Sequence, residues 1–234
     1  METEIINMIK RYIMTLGKFF TCCLCVFTFM GCNNDDEPQI GADQGYRLWY
    51  NCRPCEELLS YRENNHPDLL HLIVTSSLRE AFGYRDPQRY TIEGDRDIET
   101  QIGRLLDPNN ELKGMIPIQV EYRTVPCKAI YVTMYDADGN FVSDITDQAH
   151  FHNLWEEDAY AILINSSREV LGVLKDGITI KEYLEYHPMV FAQTWLAFDD
   201  LNMEVLEEGG YLKTEIELED GTVLVSDSRD RILY

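Results

Sequence analysis

Hydrophobic and polar positions alternate most regularly near the C-terminus, where Leu212, Thr214, Ile216 and Leu218 interleave with Lys213, Glu215, Glu217 and Glu219. A period of two sends the two sets to opposite faces of an extended chain, so the run predicts a half-buried strand. Asp220-Gly221 follows, and then Thr222 to Ser226, in which Val223 and Val225 face one way. Asp-Gly between two such runs predicts a hairpin, because its residues tolerate the backbone that a tight turn demands. A second hairpin is predicted at Asp136 to Asn140, between Ala129–Tyr135 and Phe141–Ile145. Further strands are expected over Met115–Thr124, Tyr160–Ile164 and, apolar enough to be buried, Met189–Phe198.

Helical spacing is rarer. Asp95–Leu106 gathers Ile98, Ile102, Leu105 and Leu106 on one face and stops at Asp107-Pro108. Thr179–Tyr186 is shorter, with Thr179 as N-cap, Glu182 three residues on, and His187-Pro188 as its end. Cys55–Tyr61 is a third helical candidate. Strands spaced by turn residues, with helices as minor inserts, predict a mainly β protein, an immunoglobulin-like or related β-sandwich. No internal period suggests a solenoid or propeller. Residues 46–112 read as an irregular α/β region and residues 113–234 as the β-rich domain.

The N-terminus has another character. Lys10, Arg11 and Lys18 precede an apolar run from Phe19 to Met30 that ends at Gly31-Cys32. A basic flank, a short apolar stretch and a small residue before a cleavage point describe a secretory signal. The run is too short for a transmembrane helix, which needs about 20 residues. It resembles a bacterial lipoprotein signal, and the resemblance implies that residues 1–31 are removed and that Cys32 is lipidated as the mature N-terminus. Cys22, Cys23 and Cys25 fit that role less well, since Thr21, Cys22 and Leu24 precede them instead of a small residue. Met8 and Met14 are alternative starts. After Cys32 comes Asn33-Asn34-Asp35-Asp36-Glu37, the head of an acidic tether over residues 32–45. This tether resembles the export signal of Bacteroidetes surface lipoproteins, which implies anchoring in the outer membrane and display at the cell surface; the alternative is a solvated spacer on a protein held at the periplasmic face.

Composition sharpens the picture. The 234 residues carry 20 Lys+Arg against 41 Asp+Glu, a formal charge of −21. Loss of residues 1–31 removes Lys10, Arg11, Lys18, Glu2 and Glu4, so the expected mature chain is one unit more acidic. A protein so poor in clustered cations is not built for nucleic acid. A content of 45% hydrophobic and 11% aromatic residues excludes disorder over the whole chain.

Candidate chemistry centres on Cys52-Arg53-Pro54-Cys55, preceded by Tyr46-Arg47-Leu48-Trp49-Tyr50. This stretch resembles the C-x-P-C site of thioredoxin-like proteins, where an aromatic strand leads into a helix. The resemblance implies a membrane-tethered thiol–disulfide oxidoreductase with Cys52 as nucleophile and Cys55 as resolving thiol. The helix N-terminus is what would favour the thiolate there. The alternative is a structural disulfide among Cys52, Cys55 and Cys127, or unpaired thiols.

Other constellations are weaker. Asp136, Asp138 and Asn140 are oxygen ligands, but the glycine stands at the fourth position of the loop and no glutamate closes it at the twelfth, so a turn is expected instead of a calcium site. His150-x-His152, with Glu156 and Glu157 nearby, has metal-ligand residue types without a second histidine pair, and no metal is expected. The chain has no G-x-S-x-G, no phosphate-cradling glycine loop and no H-E-x-x-H, and no cofactor is expected. Trp49, Trp155, Trp195 and the 14 tyrosines are suited to stacking on sugar rings and equally to packing. The stretches Val125–Ile130, Tyr135–Asn140 and Val173–Leu184 resemble uncharacterised Bacteroidales lipoprotein domain families, which carry no reaction to transfer. Taken together, the residues point to a non-enzymatic, lipid-anchored envelope protein that binds a glycan, a host component or a partner protein.

Overall fold

The computed structural model describes residues 48–62, 66–76, 92–109, 118–152 and 161–229. In chain order the elements are β1 (Leu48–Cys52), β2 (Glu57–Arg62), β3 (Leu70–Thr75), α1 (Arg96–Leu106), β4 (Ile118–Tyr122), β5 (Cys127–Tyr135), β6 (Phe141–Asp144) and β7 (Ala149–His152). They continue with β8 (Ile162–Ile164), β9 (Val170–Val173), α2 (Ile180–Glu185), β10 (Gln193–Phe198), α3 (Met203–Glu207), β11 (Tyr211–Leu218) and β12 (Val223–Asp227).

Two four-stranded antiparallel sheets, β2-β3-β10-β7 and β12-β11-β5-β6, form a β-sandwich. Leu58, Leu70, Leu72, Val74, Phe151 and Leu196 of the first sheet share one core with Ile130, Val132, Met134, Leu212, Ile216 and Leu224 of the second. Each such side chain contributes about 1.5–3 kcal/mol by leaving water. Along one side the sheets are tied together: Ser60 in β2 donates from its backbone N–H to Ser226 Oγ in β12 at 2.9 Å. The mainly β sandwich with short helices is the architecture expected from the alternation.

The predicted hairpins are present. β11 and β12 pair across Asp220-Gly221, with Ile216 opposite Leu224 and Glu215 opposite Val225. That register buries Leu224 and leaves Val223 and Val225 on the solvent face. The β5–β6 hairpin closes through Asp136, whose carboxylate accepts from the Asn140 backbone N–H at 2.8 Å and from Asn140 Nδ2 at 2.9 Å. Gly139 sits there at φ 85°, in the left-handed region open to glycine. The Asp136 carboxylate is thus spent on its own turn, which accounts for the residue pattern that also suggests a calcium loop.

Both longer helical predictions form. Asp95 caps α1, accepting from the backbone N–H groups of Asp97 and Ile98, and Ile98 and Ile102 are fully buried. Thr179 and Glu182 form a reciprocal capping box at α2. Helix α3 carries no comparable periodicity in the sequence.

One expectation is corrected. Cys55–Tyr61 is not helical: Glu57–Arg62 is strand β2, paired with β3 in a six-residue antiparallel register from Glu57 opposite Thr75 to Arg62 opposite Leu70. Helix-favouring Glu and Leu are overridden because both faces of the segment pack, with Leu58, Leu59 and Ser60 all buried. β2 and β3 lie in the same sheet as β7 and β10. Separate from the sandwich sheets, β1 and β4 form a parallel pair against α1, around a smaller core of Leu48, Cys52, Ile98, Ile102, Val120 and Tyr122. A further hairpin, β8–β9, completes the strands.

Candidate functional site

The three cysteines expected in the folded domain are free thiols. Cys52 ends β1 and is buried in the smaller core, while Cys127 opens β5 within the sandwich core. Cys55 is half-buried between them in the β1–β2 connection, packed against the sandwich core. No helix follows Cys55. The Glu56 backbone N–H donates to Thr75 O at 3.0 Å, so strand pairing begins at once. Without the dipole of a helix N-terminus, burial dominates the thiols: it pushes Cys52 up and takes Cys55 and Cys127 to about 12. The Arg123 guanidinium works against that rise at Cys52 and Cys55 and does not overcome it.

The thiols therefore stay protonated at neutral pH. Alkylation of the native protein at pH 8 should be slower at Cys55 and Cys127 than for a free thiol by on the order of a thousandfold, and should become fast on unfolding. Peptide mapping after timed iodoacetamide treatment checks this. Rapid native labelling of Cys52 or Cys55 would restore the oxidoreductase reading.

Arg123 itself is a fully buried cation that the sequence does not advertise. Its Nε donates to Val74 O at 3.0 Å, its Nη2 donates to the same carbonyl, and its Nη1 donates to Tyr122 O at 2.9 Å. Glu121 lies 3.4 Å from Nη2 and also pairs with Arg53 at 3.3 Å. Beside this network, Tyr122 donates its hydroxyl to Glu99 Oε1 at 2.8 Å and accepts from the Asp95 backbone N–H at 2.7 Å. Burial raises the pKa of the Glu99 carboxyl. Gly94 makes the arrangement possible, because a Cβ there would lie 2.1 Å from Glu99 Oε1.

A row of rings crosses the β2-β3-β10-β7 sheet. Register places Tyr61 opposite His71, His71 opposite Trp195, and Trp195 opposite His152. His71 stacks on Trp195 with ring centroids 4.2 Å apart and meets Tyr61 edge-on at 4.8 Å. Tyr61 Oη and His71 Nδ1 are hydrogen-bonded to one another. Burial lowers the His71 pKa to about 4, so its ring is neutral across the physiological range. At the far end His152 Nδ1 pairs with Asp176 Oδ1 at 3.1 Å. A cleft opens beside the row, lined by Phe151, His152, Leu174, Lys175, Gln193 and Trp195.

Two other sequence candidates disperse. His150 pairs with Asp199 at 3.6 Å and His152 with Asp176, so the two imidazoles serve different carboxylates. Among the described residues no group of three or more His, Cys, Asp and Glu is placed to hold a metal ion. Trp49 and Trp195 lie on different sheets, the first 43% exposed on β1 and the second 7% exposed in its row, while Trp155 lies outside the described residues. Glu156, Glu157 and Cys32 also lie outside them. The ring row had no local sequence signal, since its members come from four strands and meet only through pairing.

Fold and site together define a mainly β sandwich protein with a row of rings across one of its sheets. No family model, no curated protein and no solved structure matches the chain.

Proposed function

We propose that this chain is a lipid-anchored cell-envelope protein, held through Cys32 in the outer membrane and displayed at the cell surface as a non-catalytic binding module. The observation that carries the reading is the run of basic flank, short apolar stretch, Gly31-Cys32 and acidic Asn33–Glu37 tether. Several acyl chains on one cysteine supply a stable anchor, at about 0.8 kcal/mol per buried CH₂. No helix among the described residues is long and apolar enough to cross a membrane. A strongly acidic body on a tether is repelled by anionic headgroups and stays soluble above them.

The binding role is favoured over thiol–disulfide exchange by the protonated, buried thiols and by strand β2 where a helix would be required. The cleft beside Trp195, lined also by His152, Lys175 and Gln193, is only water-sized, so a glycan or a segment of a partner protein would be met at the surface and not enclosed.

Replacing Cys32 by Ala tests the anchor. The wild-type chain should sediment with outer membranes and label with fatty acid, whereas Cys32→Ala should do neither. Anchoring that persists in Cys32→Ala would end the lipoprotein reading.

A further inference from the structure

The two faces of the β12-β11-β5-β6 sheet differ in an unexpected way. Its inner face belongs to the core, yet its outer face is also rich in apolar side chains. Register sets Val223 beside Glu217 and Ala129, and Val225 beside Glu215 and Tyr131. It also sets Tyr211 beside Tyr135 and Phe141. Val223 is 54% exposed, Val225 49%, Tyr131 47% and Phe141 61%. In the last row Tyr135 and Tyr211 stack at 5.3 Å and Phe141 stands edge-on to Tyr135 at 6.1 Å, while Arg229 covers the Tyr211 ring at 3.6 Å. The apolar side chains form two groups, Val223, Val225 and Tyr131 on one side and Tyr211, Tyr135 and Phe141 on the other, divided by the polar row Asp227, Lys213, Thr133 and Asp144. Such a mixture of aromatic, aliphatic and paired charged groups is of the kind interfaces carry.

Charge on this face departs from the rest of the molecule. Lys128 pairs with Glu217 at 2.6 Å, Lys213 with Glu215 at 2.5 Å, and Arg229 with Asp227 at 2.8 Å. The face is close to balanced on a chain whose acids outnumber its bases 41 to 20. Elsewhere two copies repel each other. Here they can approach, and the alternating Lys and Glu of β11 offer each copy both signs. The aliphatic part of the patch also selects the occupant: valines at positions 223 and 225 offer a sugar neither a ring to stack on nor a hydrogen bond, whereas they pack well against other apolar side chains.

We infer that the outer face of the β12-β11-β5-β6 sheet is a self-association interface, which two copies of this chain bury against each other. Four strands spaced about 4.8 Å apart and some seven residues long, at roughly 3.3 Å each, cover about 450 Å² per copy. That is below the roughly 800 Å² per partner of a standard stable interface, so the dimer is a weak one.

Sedimentation equilibrium of the full chain, in a nonionic detergent matched to solvent density, tests the inference from micromolar to submillimolar concentration. The wild-type chain should show a concentration-dependent monomer–dimer equilibrium. Two carboxylates placed in the centre of the face, in the double variant Tyr131→Glu/Val225→Glu, should raise the dissociation constant by on the order of 100-fold or more. Leu171→Glu, at an exposed apolar position on β9, should leave it unchanged. Val225→Thr, nearly isosteric and suited to a strand, covers the case in which the double variant unfolds, and it should still weaken the dimer several-fold. A wild-type chain that stays monomeric throughout, or association equally strong in both face variants, overturns the inference. So does equal loss in Leu171→Glu, or retention on a neutral polysaccharide that Tyr131→Glu abolishes.

Discussion

Acidification from pH 7.5 to pH 5 will remove roughly 2 kcal/mol of stability through His71 alone, and continued acidification to pH 4 about 1 kcal/mol more. The folded ring, sandwiched between Tyr61 and Trp195, takes up its proton only near 4, because burial disfavours the charged form. In the unfolded chain a histidine protonates near 6.5. Between those values the unfolded state binds more protons, so stability rises with pH through the window and falls as acid is added. Glu99 acts in the opposite direction, since its raised pKa makes the folded state the better proton binder. Urea unfolding at half-unit pH steps, on the wild type and on His71→Gln, isolates the histidine contribution as the difference in slope. His71→Gln should be less stable at pH 7.5 and much flatter towards pH 5. Parallel curves for the two proteins would show that His71 does not gate acid stability.

Arg123→Ala should be the most damaging single truncation among the described polar residues, destabilising by about 3–5 kcal/mol. Three losses combine. The Val74 and Tyr122 carbonyls lose their charged donor in a buried setting, Glu121 loses a partner, and the vacated side-chain volume is left beside the core. Against a typical total of about 5–15 kcal/mol, that lowers the melting temperature by roughly 10 °C or more. Arg123→Lys keeps the charge but cannot reach both carbonyls through a planar fork, so it should fall between the wild type and Arg123→Ala. Thermal melts of the three proteins check the order. A melt of Arg123→Ala within two or three degrees of the wild type would mean that water replaces the guanidinium without penalty.

Both predictions rest on residues that looked ordinary in the sequence. Nothing in Glu121-Tyr122-Arg123-Thr124 distinguishes a fully buried guanidinium from a surface one, because its acceptors are backbone carbonyls, one of them at Val74. His71 likewise lies in the apolar run Leu69–Val74, and its neighbours arrive from β2 and β10. Features set by neighbours in sequence were legible. The Asp220-Gly221 and Asp136–Asn140 turns, the helix within Asp95–Leu106 and the Thr179/Glu182 capping box all form where their residues predict. The Cys55–Tyr61 segment marks where legibility ends. Its Glu and Leu residues suit a helix, yet pairing with β3 and burial of both faces make it a strand. With the helix gone, the local resemblance of Cys52-Arg53-Pro54-Cys55 to a redox site loses the element that would activate its thiol.

By itself the sequence determined the period-two strands, their turns, the two capped helices and the mainly β class, because each depends on residues a few positions apart. It also carries the N-terminal pattern on which the anchoring proposal rests. Only tertiary structure decided which face β12 turns inward. Val223 and Val225 are as apolar as Leu224, but the register of β12 against β11 aligns Val225 with Glu215 and Leu224 with Ile216. The valines are left on a charge-balanced outer face. Tertiary structure also placed β2 and β3 in one sheet with β7 and β10 and assembled the Tyr61–His71–Trp195–His152 row. The reason is the same in each case. Pairing across long sequence separation is set by the packing of the whole sandwich, and a one-residue slip would exchange every inward side chain for an outward one.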